Sequence, residues 1–195
     1  GFDADGNFIF TDTDNNGIVN AEDKVIIGNP IPDFDYGLNL SMTYKDFDLT
    51  MFFQGVYGND IFNKMKYTYY FDYSNNCVTD VLNAWSETNK NTNIPIMKTD
   101  NMRGGNSLPS TFYIEDGSYL RLKNFQIGYN FPEKILKKIG FNRLRLYAGI
   151  QNLFTITGYS GYDPEVSSNA LFSRGIDSSS YPNARTYTFG FNASF

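Results

Sequence analysis

The densest set of chemistry-bearing residues in this chain runs from Asp12 to Asp23 and reads DTDNNGIVNAED. Oxygen-bearing side chains fill the first, third, fifth and ninth places (Asp12, Asp14, Asn16, Asn20), Gly17 fills the sixth, and a carboxylate, Asp23, the twelfth. This is the spacing of a calcium loop, because a hard cation gathers several oxygens and a glycine at the sixth place lets the chain bend round it. Ile18 would offer its backbone carbonyl, Asn20 would bind directly or through water, and Asp23 would close the shell. The spacing predicts a structural Ca2+ site made of Asp12, Asp14, Asn16, Ile18, Asn20 and Asp23. The same residues would also suit a surface turn held by Asp and Asn side chains without metal.

Other chemistry is sparse. The chain has no histidine, the usual neutral-pH general base. Cys77 is its one cysteine, which excludes an internal disulfide and a cysteine-based zinc site. Glu115 and Asp116 are adjacent, so on a strand they point to opposite faces and cannot act together on one bond. An enzyme is therefore not expected. The net charge of -5, without a basic block, argues against a nucleic-acid partner.

The elements that carry the loop read as strands. The chain is 17% aromatic, with 18 Phe and 15 Tyr, and no apolar run approaches the roughly 18 residues of a membrane helix. Any membrane crossing would have to use β-strands. Over 183–195 (NARTYTFGFNASF), Tyr187, Phe189, Phe191 and Ala193 share one face, and Thr186, Thr188, Gly190, Asn192 and Ser194 the other. A strand of about 9 to 11 tilted residues, greasy outside and small or polar inside, is what a transmembrane barrel uses. A soluble sandwich or lipocalin-like barrel could bury the same aromatics in a core.

The same period of two runs through Phe34, Tyr36, Leu38, Leu40, Met42 and Tyr44, turns at Lys45 and Asp46, and returns through Phe47, Leu49, Met51, Phe53 and Tyr57. Tyr119 to Phe131 is a further strand whose parity switches, which predicts a β-bulge near Lys123 and Asn124. Residues 132–140 (PEKILKKIG) predict a short helical turn, with Pro at its start and Gly at its end. The strand over 142–155 sets Leu144, Leu146, Ala148 and Ile150 against Arg143, Arg145, Tyr147, Gly149 and Gln151. Residues 1–33, 58–117 and 156–182 read as loops, the 58–117 stretch as a long irregular one holding Cys77, Trp85 and the segment 102–106.

Taken in order, the connections after the first strand are very short, very long, short and long. In bacterial barrels short turns face the periplasm and long loops face outside. Working back from Phe195 places 156–182, 58–117 and the calcium-type loop outside, with both short turns inside. The polar face would line a lumen with Asp35, Lys45, Asp48, Gln54, Arg143, Arg145 and Gln151. Five strands are too few to close a membrane barrel, since an open edge in lipid leaves backbone groups unpaired. The chain, beginning Gly-Phe-Asp, is thus expected to be a piece of a longer polypeptide.

The stretches 26–63, 113–132 (YIEDGSYLRLKNFQIGYNFP), 144–168 (LRLYAGIQNLFTITGYSGYDPEVSS) and 181–195 (YPNARTYTFGFNASF) are similar to the C-terminal region of the SusC/RagA type of TonB-linked outer-membrane transporters. The acidic loop before Gly28-Asn-Pro30 fits that pattern too, and with Asp at its last place it resembles the dockerin type of calcium loop. The resemblance implies an all-β fold: the C-terminal strands, residues 34–57 and 118–195, of a transmembrane antiparallel barrel of 22 strands in the Gram-negative outer membrane. It implies a plug and further barrel strands, the TonB system as energy source, and a SusD-like surface lipoprotein. The cargo would be an oligosaccharide or peptide nutrient, taken up by active transport. A calcium-dependent adhesin or carbohydrate-binding β module is the alternative suggested by the acidic loop and the aromatic-rich loops.

Overall fold

A computed structural model describes residues 1–71, 76–97, 105–166 and 173–195. Residues 102–104 of the 102–106 segment, and 167–168 at the end of the 144–168 stretch, lie outside the described residues. In chain order the strands are β1 (Phe34–Tyr44), β2 (Phe47–Tyr57), β3 (Asp60–Asn63), β4 (Ile114–Asp116), β5 (Tyr119–Asn130), β6 (Arg143–Thr157), β7 (Ile176–Asp177) and β8 (Thr186–Ser194). The helices are α1 (Lys64–Phe71) and α2 (Glu133–Ile139). No helix among the described residues is long and apolar enough to cross a membrane.

Strands β1, β2, β5, β6 and β8 form one sheet in that order, every neighbouring pair antiparallel. The register keeps one face apolar across all five and the other mainly polar, with Phe52 and Val56 as exceptions on β2. On one face Leu38 lies opposite Phe53, Met51 opposite Phe125, Ile127 opposite Ala148, and Leu146 opposite Phe191. On the other, Thr43 lies opposite Asp48, Thr50 opposite Gln126, Asn124 opposite Gln151, and Gly149 opposite Thr188. The greasy face is open: Leu38 is 51% exposed, Phe191 70% and Phe189 80%. A water-soluble sandwich would bury that face against a second layer. Eleven residues of β1, at about 3.3 Å each and tilted as barrel strands are, span about 25 Å, the height of a barrel's apolar band.

Aromatic rings collect at both rims of this face. Phe34 lies 5.3 Å from Tyr57 at one rim; at the other, Phe47 lies 4.8 Å from Tyr129, and Phe141 lies 4.6 Å from Phe195. Among them Tyr57 and Tyr129 are apolar in body and polar at the tip, which suits the level where hydrocarbon meets headgroup, and the phenylalanines add to the aromatic girdle. The expected parity switch occurs at Lys123, which pairs with neither neighbour: β5 has one more residue than β2 there, and β6 one more than β5. Asn152, opposite this irregularity, takes a left-handed φ of 52°. Both short connections lie at one end. Lys45, placed by the sequence among lumenal groups, sits in the first of them with φ 54° and its ammonium 5.3 Å from the Tyr44 ring. The second holds α2, which begins after Pro132 and stops at Gly140 with φ 77°, a left-handed end that favours glycine.

The 58–117 stretch, expected to be irregular throughout, holds regular elements among its described residues. It contributes β3, α1 and β4, and β7 joins β3 and β4 in a second, three-stranded sheet. These elements are short, and α1 (KMKYTYYF) has no clean apolar stripe, so neither a period of two nor one of 3.6 stands out over a useful length. Their core is aromatic: Tyr70, Phe71 and Tyr113 are buried, with Phe8, Phe62, Tyr67 and Phe112 packed round them. The N-terminal segment joins in, Phe8 meeting Phe112 at 5.1 Å and donating its N–H to Asn106 Oδ1 at 2.7 Å. Burial pushes the Tyr113 hydroxyl up from its ordinary value, and it donates to the Asn106 carbonyl at 2.8 Å. This small sheet, α1 and their aromatic core form a cap on the wall; Tyr113→Phe is expected to cost the cap about 1 kcal/mol, measured as a lower midpoint of urea-induced loss of cap protection.

Candidate functional site

The acidic loop brings three of its six expected ligands to one point. Carboxylate oxygens of Asp12, Asp14 and Asp23 all lie within 4.8 Å of one another. Asp12 is positioned by the loop's own backbone, accepting from Asn16 N at 3.2 Å and from Gly17 N at 2.7 Å, and Gly17 takes a φ of 83°. Asp23 closes the loop from the far side. It accepts from Asn20 N and Thr13 N, each at 2.7 Å, and these N–H groups hold its carboxyl below the ordinary carboxylate range. The other three expected ligands face local partners. Asn16 Oδ1 accepts from Ile18 N at 2.8 Å, Asn20 Oδ1 accepts from Glu22 N at 2.7 Å, and the Ile18 carbonyl accepts from Asn20 Nδ2 at 3.4 Å.

The polar face of the large sheet holds two charged constellations. Near the short-turn end, Arg145 on β6 forks onto Asp48 on β2, with Nε to Oδ1 at 2.9 Å and Nη2 to Oδ2 at 2.5 Å. Asn130 Nδ2 also donates to Asp48 Oδ1, at 3.0 Å. The deeper constellation centres on Arg121 of β5, only 2% exposed. Its Nε donates to Thr155 Oγ1 at 2.7 Å, Nη1 to Glu165 at 2.9 Å and Nη2 to Asp163 at 2.5 Å. Lys123, at the bulge, reaches Glu165 at 2.7 Å, and the Asn183 backbone N–H donates to Asp163 Oδ2 at 2.9 Å. Burial alone would raise the Asp163 carboxyl. The hydrogen bond from Arg121, with the N–H groups of Asn183 and Glu165, outweighs it and holds the carboxyl below its ordinary value.

The knot fastens the loop after β6 to the sheet wall. Beside it, Glu115 on β4 accepts from Ser160 N and Ser160 Oγ, each at 2.9 Å, and Tyr159 donates to Asp177 at 2.7 Å. Cap and wall are thus joined through polar groups on the side of the sheet away from the greasy face.

A five-stranded wall with one greasy and one polar face, capped at its long-loop end, matches known proteins over nearly its whole length. The chain is 42% identical over 97% of its length to TonB-dependent receptor P3 of Formosa agariphila, and 30% identical over 96% to TonB-dependent receptor SusC of Bacteroides thetaiotaomicron. The RagAB peptide transporter structure superposes with a TM-score of 0.76 at 28% identity, covering 91% of this chain and 19% of that one. In the 'closed-closed' state of the RagAB peptide importer the match covers the whole chain, with a TM-score of 0.73 at 27% identity and 20% of that chain covered. This chain belongs to the TonB-dependent receptors of the SusC/RagA type. No protein-family model matches it. The chain spans about a fifth of its curated relatives, 19% of P3 and 17% of SusC. These relatives are receptors and transporters, not enzymes.

Within that family the chain corresponds to a section of barrel wall, with the small three-stranded sheet and α1 beside it. Sequence reasoning placed Asp48 and Arg145 on the polar face, where they meet. It assigned no role to Arg121, Lys123, Asp163 or Glu165, although all four lie in the stretches that carry the family resemblance. The available signal was Arg121 between Leu120 and Leu122, a charge of inward parity beside a parity switch. Its partners are 42 and 44 residues further on, and no spacing rule reaches that far.

Proposed function

We propose that this chain forms part of an outer-membrane importer of oligosaccharide or peptide nutrients, energised through TonB and working with a SusD-like surface lipoprotein. The observation that carries this reading is the division of the sheet: an unbroken lipid-compatible face on one side and, on the other, a hydrogen-bonded charged face that admits only a few apolar side chains such as Phe52 and Val56. A wall of that kind separates hydrocarbon from a wet lumen. The relatives named as TonB-dependent receptors, and the importer structures the chain superposes on, support the direction and energy source. The cap, rich in tyrosine and amide side chains, would face outside, where a lipoprotein lid and cargo arrive. The test is uptake of labelled oligosaccharide or peptide by cells carrying the full-length receptor, with and without TonB. Uptake that persists without TonB would reject the energised reading, and a receptor that purifies without a lipoprotein from native membranes would reject the partner.

We also propose that the acidic loop binds Ca2+ through Asp12, Asp14 and Asp23, with Asn16, Ile18 and Asn20 completing the shell. Three converging carboxylates suit a hard cation, and they repel one another without one. Bound calcium would neutralise them and brace the loop. Calcium at about a hundredfold over its dissociation constant would stabilise the folded loop by about 2.7 kcal/mol. Thermal unfolding of the full-length receptor should therefore shift upward on adding calcium and back with a chelator, and Asp12→Ala should abolish the increment. An unchanged melting curve ends the idea.

A further inference from the structure

We propose that α2 is a docking point for the phosphate headgroups of anionic phospholipids. Its three lysines, Lys134, Lys137 and Lys138, are all exposed. Their spacing of three and four residues puts them on one face of the helix. Leu136, roughly 150° round the helix from their centre, is 5% exposed. The buried leucine fixes the helix against the protein, so the lysine face turns away from it. Lys137 pairs with Glu133 at 3.5 Å, but both are about four-fifths exposed, at 79% and 84%, and such a pair contributes little. Among the described residues neither Lys134 nor Lys138 makes an ion pair with a carboxylate.

The helix also sits at the right level. It connects β5 to β6 at the short-turn end, where Tyr129 and Phe131 lie 5.1 Å apart and Phe141 meets Phe195 at 4.6 Å. These rings mark the rim of the apolar band, so the adjoining lysines stand at headgroup depth. A chain of net charge -5 places three of its 16 basic residues on this one turn. Lysines near an anionic leaflet are attracted to it, about fivefold in affinity each. This proposal rests on the membrane-barrel reading.

The experiment uses the full-length receptor in neutral detergent, titrated with phosphatidylglycerol or phosphatidylcholine, with bound lipid counted by native mass spectrometry. Phosphatidylglycerol should be retained in preference to phosphatidylcholine, and should be released when salt shortens the Debye length to about 3 Å. Replacing all three lysines with Gln should weaken phosphatidylglycerol retention at least tenfold, towards a ceiling of roughly 100-fold. Replacing all three with Arg should preserve it. Equal retention by the Gln variant, or no salt effect on the unaltered protein, would overturn the proposal. So would inorganic phosphate displacing the lipid at equal concentration, since that describes a free-anion site. The salt titration needs no variant, so it decides even if the Gln protein fails to assemble. Failure of the barrel reading looks different, because then neither lipid would be retained.

Discussion

Arg121→Met is expected to release the loop after β6 from the wall, at a local cost of about 3 to 5 kcal/mol. The side chain is 2% exposed and Asp163 6% exposed, so removing the guanidinium strands a desolvated carboxylate next to Glu165. The cost arises from that uncompensated charge more than from the lost attraction, because breaking a buried pair is worse than never having built one. Met nearly preserves the volume, which separates charge from packing. Arg121→Lys should fall between: one ammonium cannot match a planar fork that reaches Thr155, Glu165 and Asp163 from three different nitrogens. The measurement is hydrogen exchange and limited proteolysis across the described residues 158–166 and 173–185, with the strands as internal reference. Unchanged protection in Arg121→Met would remove the knot from the account.

Acid should act on the same knot. The Asp163 carboxyl is held below its ordinary value of 3.8. Its contribution is therefore fully present above that pH and is lost as pH falls through the lower value of the folded state. Loop protection should be flat from neutrality down to about pH 4 and decline below it, and Arg121→Met should abolish that decline.

Leu38→Arg and Asn39→Arg should differ sharply although the positions are adjacent. Leu38 is near the middle of β1 on the face of Phe53 and Met51; Asn39 points the other way, opposite Phe52. In a lipid-facing wall an arginine near the midplane costs about 2 to 4 kcal/mol. On the wet side the change should remain within about 0.5 kcal/mol. The comparison is made on the full-length receptor in lipid vesicles, from denaturant midpoints and the fraction running as folded barrel on unheated gels. In a soluble globule with these side chains inside, Leu38→Arg would bury an unpaired charge and cost as much without lipid as with it. Equal costs at 38 and 39 would contradict a wall with one greasy face.

Much of the wall was legible because a strand records its two environments in alternate residues. Leu38, Leu40 and Met42 on β1, and Tyr187, Phe189 and Phe191 on β8, announce both strand and face without reference to anything distant. The bulge could be read from the parity switch at Lys123 for the same reason. The helix between Pro132 and Gly140 followed from its end residues alone. The cap could not be read this way. Strands of two to four residues are shorter than any period can reveal, and their aromatic core is assembled from Phe8, Tyr70 and Tyr113, which are far apart along the chain.

The sequence by itself determined the strand faces, the order of short and long connections, the family, and the acidic ligand types of the loop at 12–23, because each depends on neighbours within a few residues. Only the tertiary structure decided that Asp12, Asp14 and Asp23 converge, that Arg121 meets Asp163 and Glu165, and that described parts of the long excursion pack as a cap. Those are contacts between remote segments. They form because a buried charge or a half-covered ring must find a partner somewhere, and which partner is near enough depends on how the whole chain has already folded.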